Sequence, residues 1–170
     1  MAGVLIPIST TTLSSTASTV TLSSIPQTYT DIMVRVSARF NAAVVISDIY
    51  VYTNGSTTSN SDTELATIGS NVYSWRNSYA PSGWYAGSVG GTSSTANTFS
   101  SGEIYFPNYT SAAYKVGSIF TVCENNSATQ NMVFAGAGLR SNTDAITSIT
   151  FNSTAHDFVA GSTFTLYGIK

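Results

Sequence analysis

Few residues in this chain have the types and spacing that chemistry requires. His156-Asp157 is the one place where an imidazole adjoins a carboxylate. A serine hydrolase needs its acid on one imidazole nitrogen and its serine on the other, and adjacent residues rarely fold back that way. With 27 Ser in the chain, a serine close by carries little information. A turn whose polar groups bond backbone is the better account of this pair. Glycoside cleavage needs two carboxyl groups facing one bond. Glu103 and Glu124 fall on strand-like runs and Glu64 enters another, but nothing in their spacing pairs them. Asp62-Thr-Glu64, near Asn54 and Asn60, offers the oxygen ligands calcium takes, without the loop signature of a calcium site. Four Asn-x-Ser/Thr triplets (Asn54, Asn108, Asn125, Asn152) are what this composition yields by chance. No catalytic residue, metal site or cofactor is expected, and the reading is of a protein that is not an enzyme.

The cluster that does look functional is aromatic. Tyr73, Trp75, Tyr79, Trp84 and Tyr85 lie close together with Arg76 among them, and they include both tryptophans of the chain. Aromatic faces beside amides stack on sugar rings and also anchor protein interfaces. Tyr73 and Trp75 alternate with Ser74, which equally suits the inner face of a strand. Core, subunit interface and glycan or receptor site all remain open for this group.

These residues sit in an unusual background. Only 8% of the 170 residues are charged, against roughly a quarter in ordinary soluble domains. The 27 Ser and 25 Thr take their place, so the surface is polar but nearly uncharged. A net charge of -2 with six scattered basic residues argues against nucleic acid as a partner. No apolar run is long enough to insert in a membrane, and Val4 to Ile8 is too short for a signal peptide. A chain made in a cytoplasm is expected. The single Cys123 lies in an apolar run and reads as a small core residue.

Thr, Val, Ile, Tyr and Phe predict strands rather than helices. Ile32, Val34 and Val36 alternate with Asp31, Met33, Arg35 and Ser37. In Ser47 to Thr53, Ile49 and Val51 point inward and Tyr50 and Tyr52 outward, and Asn54-Gly55 ends the run with a turn. Leu65 to Trp75 reads as one strand with a bulge at Gly69. Asn77 to Thr98 reads as a long, weakly structured loop of functional or interface character. Further strands are predicted at Glu103 to Phe106, Val116 to Glu124 and from Met132 onward. The last 26 residues read as strand, turn, strand, with Ile149 and Phe151 on one face and Phe164 and Leu166 on another. The expectation is all-β: a single, jelly-roll-like β-sandwich of about 8–10 antiparallel strands with no substantial helix. Residues 1–17 form an extended N-terminal arm or an edge strand, and residues 18–170 the sandwich.

Four stretches carry a family likeness. Val20-Thr-Leu-Ser-Ser-Ile-Pro-Gln-Thr-Tyr-Thr-Asp-Ile32 contains an "SSIPxTYxDL"-like turn. Ile104-Tyr-Phe-Pro-Asn-Tyr109 with Lys115 matches an "I-x-x-PNY…K" segment. Ala145 to Ile149 matches the strand before the ending, and Phe158 to Lys170 matches "F-AGSxFxLYGIK". With these stretches the chain resembles a family of small structural proteins of tailed bacteriophages. It departs from that pattern after Asn54-Gly55, where a Ser/Thr loop replaces "D…NY". The resemblance implies a non-enzymatic virion protein with a jelly-roll-like sandwich, of the head-decoration, fibre or tail kind, often trimeric. The expected function is therefore capsid decoration or cementing, in contact with the major capsid protein or other virion proteins, as a homo-oligomer (a trimer). The alternative is a fibre or spike that recognises a host surface glycan through residues 73–85. Either places the protein in the virion, and no catalytic residue is implied.

Overall fold

The computed structural model describes residues 4–58, 60–77, 82–123, 125–127 and 130–170. Among them there is no helix. The strands are β1 (Leu5–Thr12), β2 (Thr19–Leu22), β3 (Asp31–Ala38), β4 (Ile46–Thr53), β5 (Asn60–Ile68) and β6 (Asn71–Asn77). The chain continues with β7 (Trp84–Gly90), β8 (Ser100–Phe106), β9 (Lys115–Cys123), β10 (Met132–Arg140), β11 (Ile149–Asn152) and β12 (Thr163–Ile169). They form two antiparallel sheets, ordered β1-β12-β3-β8-β9-β10-β5-β6 and β2-β11-β4-β7. Eight of these strands have the order of a jelly roll, β1-β12-β3-β8 against β2-β11-β4-β7. The other four are two hairpins, β5–β6 and β9–β10, inserted between jelly-roll strands. They extend the larger sheet beyond β8, which is why the strands outnumber the expected 8–10.

Alternation in the sequence becomes burial between the sheets. Ile32, Val34 and Val36 on β3, and Ile49 and Val51 on β4, face the core. Ile149 and Phe151 on β11 do the same, as do Phe164 and Leu166 on β12. The last two strands are not a hairpin, as the sequence suggests, because β11 lies in the smaller sheet and β12 in the larger. Residues 153–162 cross between layers, and Phe151 meets Phe164 across the core with ring centroids 5.1 Å apart. Strand β12 pairs on both sides, with β1 and β3. Residues 5–12, readable beforehand as arm or edge strand, form that edge strand β1.

Two predicted elements differ. Leu65 to Trp75 is not one bulged strand but a hairpin, with Ile68 opposite Asn71 and Gly69-Ser70 between them. Gly69 has φ +59°, the left-handed value that a tight two-residue hairpin turn asks of glycine. Within the predicted loop 77–98 runs strand β7, buried along its whole length. Its glycines and small residues look like loop in sequence but serve close packing: a Cβ on Gly87 would sit 2.9 Å from the Thr121 Cβ.

Parts of the four stretches singled out in the sequence meet at one end of the jelly roll. Asp31 accepts from the Tyr105 hydroxyl (2.6 Å) and the Asn108 backbone N–H (2.8 Å). The buried Tyr109 donates to the Pro26 carbonyl. Gln27 donates to the Ile146 carbonyl at 2.9 Å. A Cβ on Gly168 would fall 2.4 Å from the Tyr29 ring, so that ring fits only beside a glycine. Lys115, almost fully buried, spends its ammonium on the Ser111, Ala113 and Thr143 carbonyls. In this protein those motifs are staples.

Candidate functional site

Strand β7 divides the aromatic cluster. Tyr50 pairs with Tyr85 and Asp48 with Ser88, so two steps on β4 face three on β7. The extra residue is a bulge, with Gly87 at φ +88°. Without it Tyr85 and Ser88, three apart, would point to opposite faces. With it, the Tyr85 hydroxyl lies 2.9 Å from the Ser88 Oγ and 3.3 Å from Asp48 Oδ1. Ser88 donates to the same Asp48 oxygen at 3.0 Å.

Trp84, one residue earlier, points the other way, into the core. Its ring stacks on Phe106 at 5.5 Å, and its Nε1 donates to the Leu139 carbonyl. Gly117 and Gly138 leave room for it: a Cβ on Gly138 would come within 2.2 Å of the indole. Of the roles left open for the cluster, the one Trp84 takes is core, since only 2% of its surface is exposed. Tyr85 is also largely buried, its ring edge-on to Phe134 at 5.0 Å. Tyr79 lies outside the described residues.

Tyr85 nonetheless forms the inner wall of a cleft. The β5–β6 hairpin passes over the outside of the four-stranded sheet, bringing Glu64 and Trp75 opposite Asp48 and Tyr50. Together with Tyr85 these residues line a cleft of about 260 Å³. The Tyr85 ring is 5.8 Å from Tyr50 and 6.2 Å from Trp75, at interplanar angles of 58° and 41°. Tyr73 extends the cluster outward, edge-on to Trp75 at 6.3 Å. Asp62 accepts the Tyr85 backbone N–H at 2.9 Å and fixes the strand beneath. Burial raises the hydroxyl pKa of both Tyr50 and Tyr85, and the Asp48 charge raises it further. Tyr73, Trp75 and Tyr85 are thus brought together. Asp48 was missed; Glu64 was considered only with other carboxylates, and Tyr50 only as an outward residue of its strand, so neither was placed beside the aromatic cluster.

The other candidates disperse. Asp157 exchanges hydrogen bonds with Asn41, and the His156 ring lies by Phe40 at 6.3 Å. Glu103 pairs with Arg35 at the surface. Asn54 binds backbone of residues 145–148 and so does not join Asp62 and Glu64 as a calcium ligand. Glu124 lies outside the described residues.

A second surface was not foreseen. On the outer face of the inserted strands Val72, Leu65, Phe120, Val116, Val133 and Leu139 are exposed, from 36% at Leu139 to 70% at Val72. Phe120 stands opposite Ala135, which stands opposite Leu65; Val116 stands opposite Leu139. The patch is therefore continuous across the sheet. Val116 and Leu139 of the patch also line a depression of about 600 Å³, with Ser118 and Ala137 between them and Tyr105 and Arg76 on neighbouring strands. Alternating apolar residues on both faces of β9 and β10 were the available signal.

No family model, no curated protein and no solved structure matches this chain.

Proposed function

We propose that this protein is a non-enzymatic structural component of a tailed-bacteriophage virion that decorates or cements the capsid. The reading rests on the resemblance of four segments, and one structural observation supports it most: the apolar outer face of the inserted strands. Four strands about 4.8 Å apart and roughly seven residues long at ~3.3 Å each make a face on the order of 400 Å², on which the apolar side chains are interspersed with Thr63, Thr67, Ser74 and Ser118. An apolar patch approaching about 400 Å² is of the order of the largest on a typical soluble chain, and such patches are often functional. Standard protein interfaces bury roughly twice that per partner, so surrounding polar surface completes the contact. In this reading the patch docks on neighbouring major capsid protein subunits, and copies of the chain assemble as a homotrimer around the contact. A nearly uncharged surface fits docking governed by shape and apolar burial rather than by electrostatic steering.

Quantitative mass spectrometry of virions carrying this protein tests the reading. Copy numbers comparable with the capsid subunit are expected, and a handful of copies per particle would sink it. Purified protein is also expected to co-sediment with stripped capsids, and Phe120→Asp to abolish that.

The cleft favours a second reading, a fibre or spike protein that recognises a host surface group. It predicts host-cell binding that Trp75→Ala weakens without unfolding the chain. Trp84→Ala cannot test it, because Trp84 is core.

A further inference from the structure

The cleft between the β5–β6 hairpin and the four-stranded sheet has the makings of a specific receptor. Its lining is Asp48, Tyr50, Glu64, Trp75 and Tyr85: three aromatic rings and two carboxyl side chains. Every charged residue in that lining is acidic. The rings are not coplanar. With tilts of 58° and 41° to Tyr85, the three rings that line this one cleft offer no single flat platform. A sugar ring stacks on a flat exposed face, whereas a compact cation is held best where several ring faces converge within about 6 Å of it. The space is also small. At about 260 Å³ it falls below the roughly 300–1,000 Å³ of sites for drug-sized ligands, and suits a head group more than an oligosaccharide.

We propose that this cleft binds an alkylammonium group, such as the end of a lysine side chain or a choline head group. The ring faces attract the cation electrostatically, and Asp48 at the exposed mouth supplies the counter-charge. Burial makes the site firm: the Tyr85 hydroxyl is tied to Asp48 and Ser88, so its ring is already in place before a ligand arrives. Burial raises the hydroxyl pKa of Tyr50 and Tyr85, and the Asp48 charge adds to it with the sign that would also attract a cation. The proposal does not depend on the position of the protein in a virion, and it stands or falls separately from capsid binding.

Calorimetric titration of the full chain provides the test, with four probes: Nα-acetyl-lysine N-methylamide, phosphocholine, the neutral isostere 3,3-dimethylbutan-1-ol and methyl glucoside. Saturable binding of at least one cation is expected, with the neutral isostere at least about tenfold weaker. Trp75→Leu and Asp48→Asn should each weaken the cation about fivefold or more while leaving the melting temperature nearly unchanged. Both side chains are accessible, and Tyr85, which packs on Phe134, is left intact. Preference for the lysine derivative would name a protein partner, and preference for phosphocholine a head group; either supports the proposal. Equal binding of the neutral isostere, binding of the glucoside alone, or no saturable binding of either cation would overturn it.

Discussion

One row of residues across the outer face of the larger sheet changes character halfway. It runs Thr10, Thr165, Arg35, Glu103 over β1, β12, β3 and β8, then Phe120, Ala135 and Leu65 over β9, β10 and β5. In the jelly-roll half the neighbours satisfy one another. Thr10 bonds Thr165, Thr12 bonds Thr163, and Arg35 pairs with Glu103. That half is a finished surface. In the inserted half the same backbone pairing carries apolar side chains toward solvent while its inner face wraps Trp84 and Tyr85. Backbone register alone therefore does not fix what a sheet face is for; side-chain choice at alternate positions does. The jelly roll holds itself together, and the insertion carries the apolar patch and adds one wall of the cleft, Glu64 and Trp75, to the wall that β4 and β7 supply.

The hardest way to break this contrast is to remove β12. Cutting the chain after Gly161 deletes the strand between β1 and β3, together with core residues Phe164 and Leu166. Loss of the cooperative unfolding transition is expected in circular dichroism melts. A truncated chain that melts cooperatively would show that the jelly-roll half does not depend on its central strand. Next in size is Trp84→Ala, expected to cost about 3–5 kcal/mol, as for other large buried rings. Trp75→Ala, at the half-buried wall of the cleft, should cost about 1 kcal/mol, with both variants measured by denaturant titration. Similar losses at the two tryptophans would erase the distinction between core and cleft.

The difference between these two tryptophans also shows how much was legible in the sequence. Alternation on β3, β4, β11 and β12 foretold the core, because each of those strands has one face between the sheets. It failed for β7, which is covered on both faces and punctuated by Gly87 and Gly90, so a fully buried strand looked like loop. The bulge at Gly87 reverses the parity of the strand and decides that Tyr85, not Trp84, reaches the cleft. No periodicity rule locates such a bulge in advance. Asp48 and Glu64 are 16 positions apart in the chain and on different sheets, so only the path of the inserted hairpin brings them together. Asp31, Tyr105 and Tyr109, which lie in stretches singled out in the sequence, tie loops to strands, a role that their spacing alone did not reveal.

A smaller effect, within the jelly-roll half, is read by pH. The hydrogen bond from Tyr105 to Asp31, with burial adding to it, pushes the Tyr105 pKa up to about 12 from 10.0. A folded-state pKa raised above the unfolded value stabilises the fold below the unfolded pKa, and that stability is lost as pH climbs through the folded one. Wild-type stability should therefore fall between pH 10 and about 12 by more than that of Tyr105→Phe, which lacks the titrating group. Tyr50, Tyr85 and Tyr109 shift in the same direction, so the difference between the two proteins, not the raw curve, is the quantity to read. Parallel curves for the two would mean that Asp31 does not hold this loop.

The smallest expected effect on folding sits on the surface that matters most to the proposed function. Phe120 is 52% exposed, and its neighbours across the strands are Glu103 and Ala135. Phe120→Ser removes little buried area, so stability should change by no more than about 0.5 kcal/mol. A residue retained there for folding would cost several times that. If Phe120 instead serves contact with another subunit, the variant should melt like the parent and yet lose its place in the assembly. Light scattering and co-sedimentation with stripped capsids separate those outcomes on one sample. A variant that folds, self-associates and co-sediments like the parent would remove the functional half of the contrast and leave the exposed apolar strands as surface alone.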